Sequence, residues 1–79
     1  MTYDLVVPPT ADGALEVVIR RWLSEVGQPV KKGADLVEAT TQKIALYVSS
    51  PVDGVLVDIV VPVGGSAHIG DVLGHVQAD

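Results

Sequence analysis

The sequence predicts an all-β domain, and three observations carry that prediction. Apolar residues recur at every second position in short runs, as at Leu15, Val17 and Ile19, at Ile44, Leu46 and Val48, and at Val55, Val57 and Ile59. That period belongs to a strand with one face in a core. The apolar content is mostly valine, leucine and isoleucine, with no Phe and one Trp, and β-branched side chains suit a pleated surface better than a helix. Turn signals such as Pro8-Pro9, Asp12-Gly13, Asp53-Gly54 and Gly70-Asp71 separate the runs.

In chain order, Asp4 to Val7 reads as a short strand that Pro8-Pro9 stops, and a loop runs on to Asp12-Gly13. Leu15 to Leu23 is the next extended stretch, with Leu15, Val17 and Ile19 on the inner face and Trp22-Leu23 blurring the alternation. A helix from Leu15 to Val26 competes, but the segment is crowded with β-branched residues and bracketed by Gly13 and Gly27. Gly27-Gln28-Pro29 turns into a short extended piece at Val30, and Lys31-Lys32-Gly33 turns again. A central hairpin follows and ends at Ser49-Ser50-Pro51. Val55 to Val61 is a strand with Val55, Val57 and Ile59 on one face. Ala67 to Ile69 is a short extended piece, Val72 to Val76 is the last strand, and Gln77 to Asp79 is expected to fray.

At 79 residues the chain is one small domain with a limited core. Its net charge of −5 argues against a nucleic-acid partner, which selects basic surfaces. Without cysteine there is no disulfide and no thiol chemistry of the chain's own, so any redox role must be imported on a cofactor. Met1 to Leu5 shows no basic region leading into an apolar run, and no apolar stretch approaches a membrane span. A cytoplasmic protein, or one in the mitochondrial matrix of a eukaryote, is expected. His68 and His75 stand apart with no third ligand at metal spacing. Gly64-Gly65 reads as a loop and not a phosphate cradle, and Asp12 and Asp53 read as turn formers. No catalytic constellation is present.

The order contains a repeat. Asp12-Gly13-Ala14-Leu15 recurs as Asp53-Gly54-Val55-Leu56, and Val26-Gly27 with Gly33-Ala34-Asp35-Leu36 recurs as Val63-Gly64 with Gly70-Asp71-Val72-Leu73. Two halves of about four short strands each imply two small sheets packed face to face, with the central hairpin where one half hands over to the other.

In that hairpin, pairing Thr41 with Ile44, Ala39 with Leu46 and Val37 with Val48 gathers one apolar face. Gln42 and Lys43 then form a two-residue turn. A shift of two residues would also match the faces, whereas a shift of one would turn Tyr47 and Ala45 to the core. The turn lacks Asn-Gly or Asp-Gly, but a type I turn tolerates most residues. The reading is a lysine held at the end of a stiff hairpin.

At this point the sequence resembles the lipoyl domains of 2-oxo acid dehydrogenase complex acyltransferases, within the biotinyl- and lipoyl-attachment family. The likeness spans nearly the whole chain. It rests on Trp22-Leu23 before Val26-Gly27, on Val30-Lys31-Lys32-Gly33 and Leu36-Val37-Glu38, on Lys43, on Ser50-Pro51-Val52-Asp53-Gly54-Val55, and on Gly70-Asp71-Val72-Leu73. The resemblance implies a flattened β-barrel or sandwich of two four-stranded antiparallel sheets with quasi-two-fold symmetry. It implies lipoate in amide linkage on Lys43, on a domain of residues 1–79 that belongs to a longer multidomain acyltransferase chain. It also implies a swinging-arm carrier, non-catalytic by itself and monomeric when isolated. The implied partners are a thiamine-diphosphate-dependent dehydrogenase, a dihydrolipoyl acyltransferase core, dihydrolipoyl dehydrogenase and a lipoylating enzyme.

The family's usual tip reads Glu-Thr-Asp-Lys-Ala, and here Thr40, Gln42 and Ile44 replace the Glu, the Asp and the Ala around Thr41 and Lys43. These residues are candidates for reading by the modifying enzyme. Thr10, Ala11 and Asp12 are candidates for reading by the dehydrogenase, because the resemblance implies that the loop after the first strand lies near the tip. Biotin carriers have methionine on both sides of the lysine, which Gln42 and Ile44 are not. A biotin carrier and an unmodified protein-binding module are the alternatives. Lys31 and Lys32 read as solvated turn residues, and Trp22 as a packing residue largely out of water.

Overall fold

Eight strands and no helix make up the computed structural model, which describes residues 1–79. They are β1 (Thr2–Val6), β2 (Glu16–Trp22), β3 (Pro29–Val30), β4 (Asp35–Thr40), β5 (Ala45–Ser49), β6 (Gly54–Ile59), β7 (Ser66–His68) and β8 (Val72–Ala78). They form two four-stranded antiparallel sheets, in the orders β1-β8-β6-β3 and β5-β4-β2-β7. The sandwich form of the expectation holds; the sheets do not close into a barrel. The competing helix over Leu15 to Val26 is absent, because that segment lies in β2 and the turn after it.

The halves are related by a quasi-two-fold axis that exchanges the sheets and carries β2 onto β6, β3 onto β7, β4 onto β8 and β5 onto β1. The hydrogen bonds repeat in the same way. Leu23 N donates to Leu36 O as Val60 N does to Leu73 O, and Ile19 N to Gly65 O as Leu56 N to Gln28 O. The glycine pairs of the repeat hold matching left-handed turns, Gly27 at φ 93° with Gly64 at 88°, and Gly33 at 85° with Gly70 at 90°, a conformation other residues adopt at a cost. The Asp-Gly pair is not part of this symmetry. Gly13 sits in a loop with φ 71°, whereas Gly54 is a β6 residue whose counterpart is Val17.

Thirteen aliphatic residues form the core between the sheets, among them Leu5, Ile19, Leu36, Leu56 and Leu73. The alternation placed Val17 and Ile19 correctly in the core, but two bulges break its period. One lies between Ile19 and Arg21 and the other between Leu56 and Asp58, at symmetry-related places. Each inserts one residue and reverses which parity faces inward. Before its bulge β6 buries Gly54 and Leu56, so Val55 and Val57 lie off the inner face, and only Ile59, beyond the bulge, packs against the core as expected. The same device lets Trp22 turn back toward the core after Val17 and Ile19. Leu15 was expected inside; it precedes the first β2 pair with β7 and is 79% exposed.

Two end segments also differ from expectation. The first strand begins at Thr2, two residues early. Gln77 to Asp79 are pinned, since Gln77 pairs with Thr2 and Val55, Ala78 N donates to Met1 O, and Asp79 N to Asp53 O at 3.1 Å.

Trp22 is partly buried. Its Nε1 donates to Val61 O at 2.9 Å, and its ring tip lies so near Gly74 that a Cβ there would come 3.0 Å from Cη2. The ring thus joins the two sheets over a glycine. Trp22→Ala is expected to cost about 2 kcal/mol, below the range for a fully buried Trp. Trp22→Phe should cost about 1 kcal/mol through the lost hydrogen bond. Urea denaturation midpoints check both.

Candidate functional site

The β4–β5 hairpin adopts the register that leaves Gln42 and Lys43 at its turn. Val37 faces Val48, Ala39 faces Leu46, Thr40 faces Ala45, and Thr41 N donates to Ile44 O at 2.8 Å. Val37, Ala39 and Val48 are buried, which fixes this register against slippage. Toward the tip the face leaves the core: Leu46 is half-buried and Ile44 exposed. Lys43 is exposed and its ammonium makes no salt bridge.

The turn is held by a side chain rather than by a favoured dipeptide. Thr41 Oγ1 accepts from both Lys43 N and Ile44 N, each at 3.0 Å. Its own hydroxyl proton goes to Asp12 Oδ2 at 2.7 Å. Donation in that direction leaves the oxygen lone pairs free for the two tip amides. Asp12 is fixed in turn by its own loop: Thr10 Oγ1 donates to Asp12 Oδ1 at 2.6 Å, and Ala14 N reaches Thr10 Oγ1 at 2.9 Å and Asp12 Oδ1 at 3.2 Å. The loop after β1 therefore braces the hairpin tip through a charged hydrogen bond between segments 29 residues apart.

The hydroxyl of Thr10, then that of Thr41, hold the Asp12 carboxyl down from 3.8 to about 2 by stabilising its charged form. A depressed carboxylate pKa contributes stability that is complete above the unfolded value and is lost as pH falls through the folded one. The brace is thus expected to persist from neutral pH to near pH 4 and to release toward about pH 2. Amide NMR shifts of Lys43 and Ile44 should follow that transition, and Asp12→Asn should abolish it.

Of the residues read from the sequence as site residues, Asp12, Thr40, Thr41, Gln42 and Lys43 line one groove of about 530 Å³ beside the lysine. Thr10 stands behind Asp12, Ala11 is exposed on the loop, and Ile44 completes the turn without lining the groove. Sequence reasoning passed over Ala14, Leu15, Glu16 and Val18, which form the other wall. Alternation had assigned Leu15 to the core and left Glu16 as an ordinary outward residue. Lys31 and Lys32 lie at the base of the hairpin, where Lys32 N donates to Asp53 Oδ1 at 2.7 Å. His68 and His75 each face carboxylates, Glu16 and Asp71 for one and Asp4 and Asp58 for the other, and no cluster here could hold a metal ion.

Residues 4–76 match the sequence model of a biotin- and lipoyl-attachment family described as "Biotin-requiring enzyme". The chain is 32% identical over 78 residues to the dihydrolipoyllysine-residue succinyltransferase component of the 2-oxoglutarate dehydrogenase complex of Bartonella vinsonii subsp. berkhoffii, covering 99% of this chain and 19% of that protein. It is 38% identical over 73 residues to the dihydrolipoyllysine-residue acetyltransferase component of the pyruvate dehydrogenase complex of Mycobacterium bovis, covering 84% of this chain and 13% of that one. The chain thus spans less than a fifth of these curated relatives. The solution structure of the lipoyl domain of the 2-oxoglutarate dehydrogenase complex from Azotobacter vinelandii superposes with a TM-score of 0.75 at 26% identity, over 94% of both chains. With this match along residues 4–76 and this fold, the chain belongs to the biotin- and lipoyl-attachment family as a lipoyl domain.

Proposed function

We propose that Lys43 carries lipoate in amide linkage and that the domain is the swinging-arm acyl carrier of a 2-oxo acid dehydrogenase complex. The observation that carries this reading is an exposed, unpaired lysine at a hairpin tip whose backbone a neighbouring loop holds in place. The fit is chemical as well as geometric. Amide formation needs an accessible amine, and the groove beside Lys43 offers the apolar side chains of Leu15 and Val18 to an arm.

Bound there, lipoate would supply a dithiolane that a thiamine-diphosphate-dependent dehydrogenase reduces and acylates, for transfer of the acyl group to coenzyme A by an acyltransferase and reoxidation by dihydrolipoyl dehydrogenase. The protein's part is to present the amine to the lipoylating enzyme and to hold the arm at high effective concentration near successive partners. Thr40, Gln42 and Ile44 face the modifying enzyme at the tip. Thr10 and Asp12 serve the dehydrogenase chiefly through the tip they brace, and Ala11 is the residue of that loop free to touch a partner. A cytoplasmic or mitochondrial-matrix location goes with this reading.

Intact mass after expression with a lipoylating enzyme and lipoate tests it. One added lipoyl group, mapped to Lys43, is the expected result. No addition under these conditions would overturn the carrier reading and favour an unmodified binding module, and addition of biotin by a biotin ligase would make the domain a biotin carrier.

A further inference from the structure

The pole that bears Lys43 has a symmetry mate in the same molecule, which serves as an internal control. The Thr41 N to Ile44 O bond corresponds to the Ala78 N to Met1 O bond where the chain ends meet. The groove wall of Val18, Thr40, Thr41 and Gln42 corresponds to Val55, Gln77, Ala78 and Asp79, which line a smaller groove of about 320 Å³. What distinguishes the lysine pole is the segment between β1 and β2, residues 7–15, whose counterpart between β5 and β6 is only 50–53. That longer segment supplies Asp12, Ala14 and Leu15 to the larger groove, and Leu15 is 79% exposed there.

We propose that this groove is a docking site for the arm carried on Lys43, and that it accepts an arm ending in an uncharged group and rejects one ending in a carboxylate. The identity of the arm rests on the carrier reading above. Lys43 is itself part of the groove wall, so an arm attached to it starts inside the groove, and weak apolar contact with Leu15 and Val18 suffices at that local concentration. Amide formation removes the only positive charge among the lining residues and leaves Asp12 and Glu16. Asp12 stays ionised because its two hydroxyl partners hold its charge. Glu16 has only His68 near it, at 3.5 Å. A terminal carboxylate would meet two like charges and no cation of the groove's own. Acyl groups without a second carboxylate would then rest against the domain between transfers, and dicarboxylic acyl groups would hold the arm in solvent.

The absence of cysteine permits a test that needs no lipoylating enzyme. Lys43→Cys is alkylated either with N-octyl iodoacetamide or with the analogue whose chain ends in a carboxylate. Cross-relaxation between the arm and the Leu15 and Val18 methyl groups is measured by NMR. The octyl arm is expected to give these signals, and the carboxylate arm to give them about fivefold weaker. Glu16→Gln should restore them for the carboxylate arm, and Leu15→Ser, at an exposed site that the fold does not need, should remove them for both. No contact by the octyl arm, or equal contact by the two arms, would overturn the proposal. So would signals that arise between molecules in a mixed-label sample, which would assign the groove to a second copy. Failure of enzymatic lipoylation, by contrast, would count against the carrier reading and leave this measurement standing.

Discussion

With Gln42→Lys and Lys43→Gln combined in one chain, lipoylation is expected to fall about a hundredfold or more while the fold is retained, since small misplacements of a reacting group have effects of that size. The hydrogen bonds that shape the turn come from the Thr41 hydroxyl and from the Thr41 to Ile44 backbone pair. Neither exchange touches those groups, and the buried pairs Val37 with Val48 and Ala39 with Leu46 keep the register. The amine leaves from a different position of a rigid turn, and a rigid turn cannot rotate it back. Lys31 and Lys32, at the hairpin base, offer no substitute. Initial rates of modification with peptide mapping decide the matter. Equal rates for the exchanged and parent chains, or label on Lys31 or Lys32, would show that the tip geometry does not direct attachment.

Gly54→Ala is expected to destabilise the domain by about 3 kcal/mol or more, a large share of the 5–15 kcal/mol typical of a folded domain. A Cβ on Gly54 would run into Gln77 O and stand 2.8 Å from Gln77 C, both backbone atoms. Neither can swing away as a side-chain end would, so β6 and β8 would have to separate at the centre of their sheet. The glycine is not there for its backbone conformation, because its φ is not positive. Its symmetry counterpart, Val17, fits a full side chain in the other sheet. A shift in the urea midpoint under 0.5 kcal/mol equivalents, about the scatter of neutral surface changes, would contradict this account of the close approach.

The parts of this molecule that could be read from its sequence are those set by period and by turn chemistry. Matching the faces of Val37, Ala39, Leu46 and Val48 excluded a one-residue slip of the hairpin and left the observed register beside one shifted by two. The turns at Gly27, Gly33 and Gly70 and the loop at Gly64 followed from those glycines, and their left-handed backbone is what the structure adds. Bulges leave no such trace, so Val57 was assigned to the wrong face and the fully buried Leu56 was passed over. The Asp12 to Thr41 brace was hidden for a different reason. It joins a loop to a turn, each with an unremarkable polar residue, and only the packing of β2 against β4 brings them within 2.7 Å. The groove was hidden because Leu15 has the composition of a core residue and the location of a surface one.

The meeting of the chain ends has a mechanical consequence. Thr2 and Gln77 are paired on adjacent antiparallel strands, so force applied to Met1 and Asp79 loads the ladder at its open end and parts it one rung at a time, like a zip, rather than shearing all rungs together. The sheet under that load is β1-β8-β6-β3, whereas the Lys43 hairpin belongs to the other sheet and points to the far end of a body 35 Å long. Tension along the chain would therefore be relieved by peeling β1, while the tip, braced by Asp12 at the opposite end, keeps its shape.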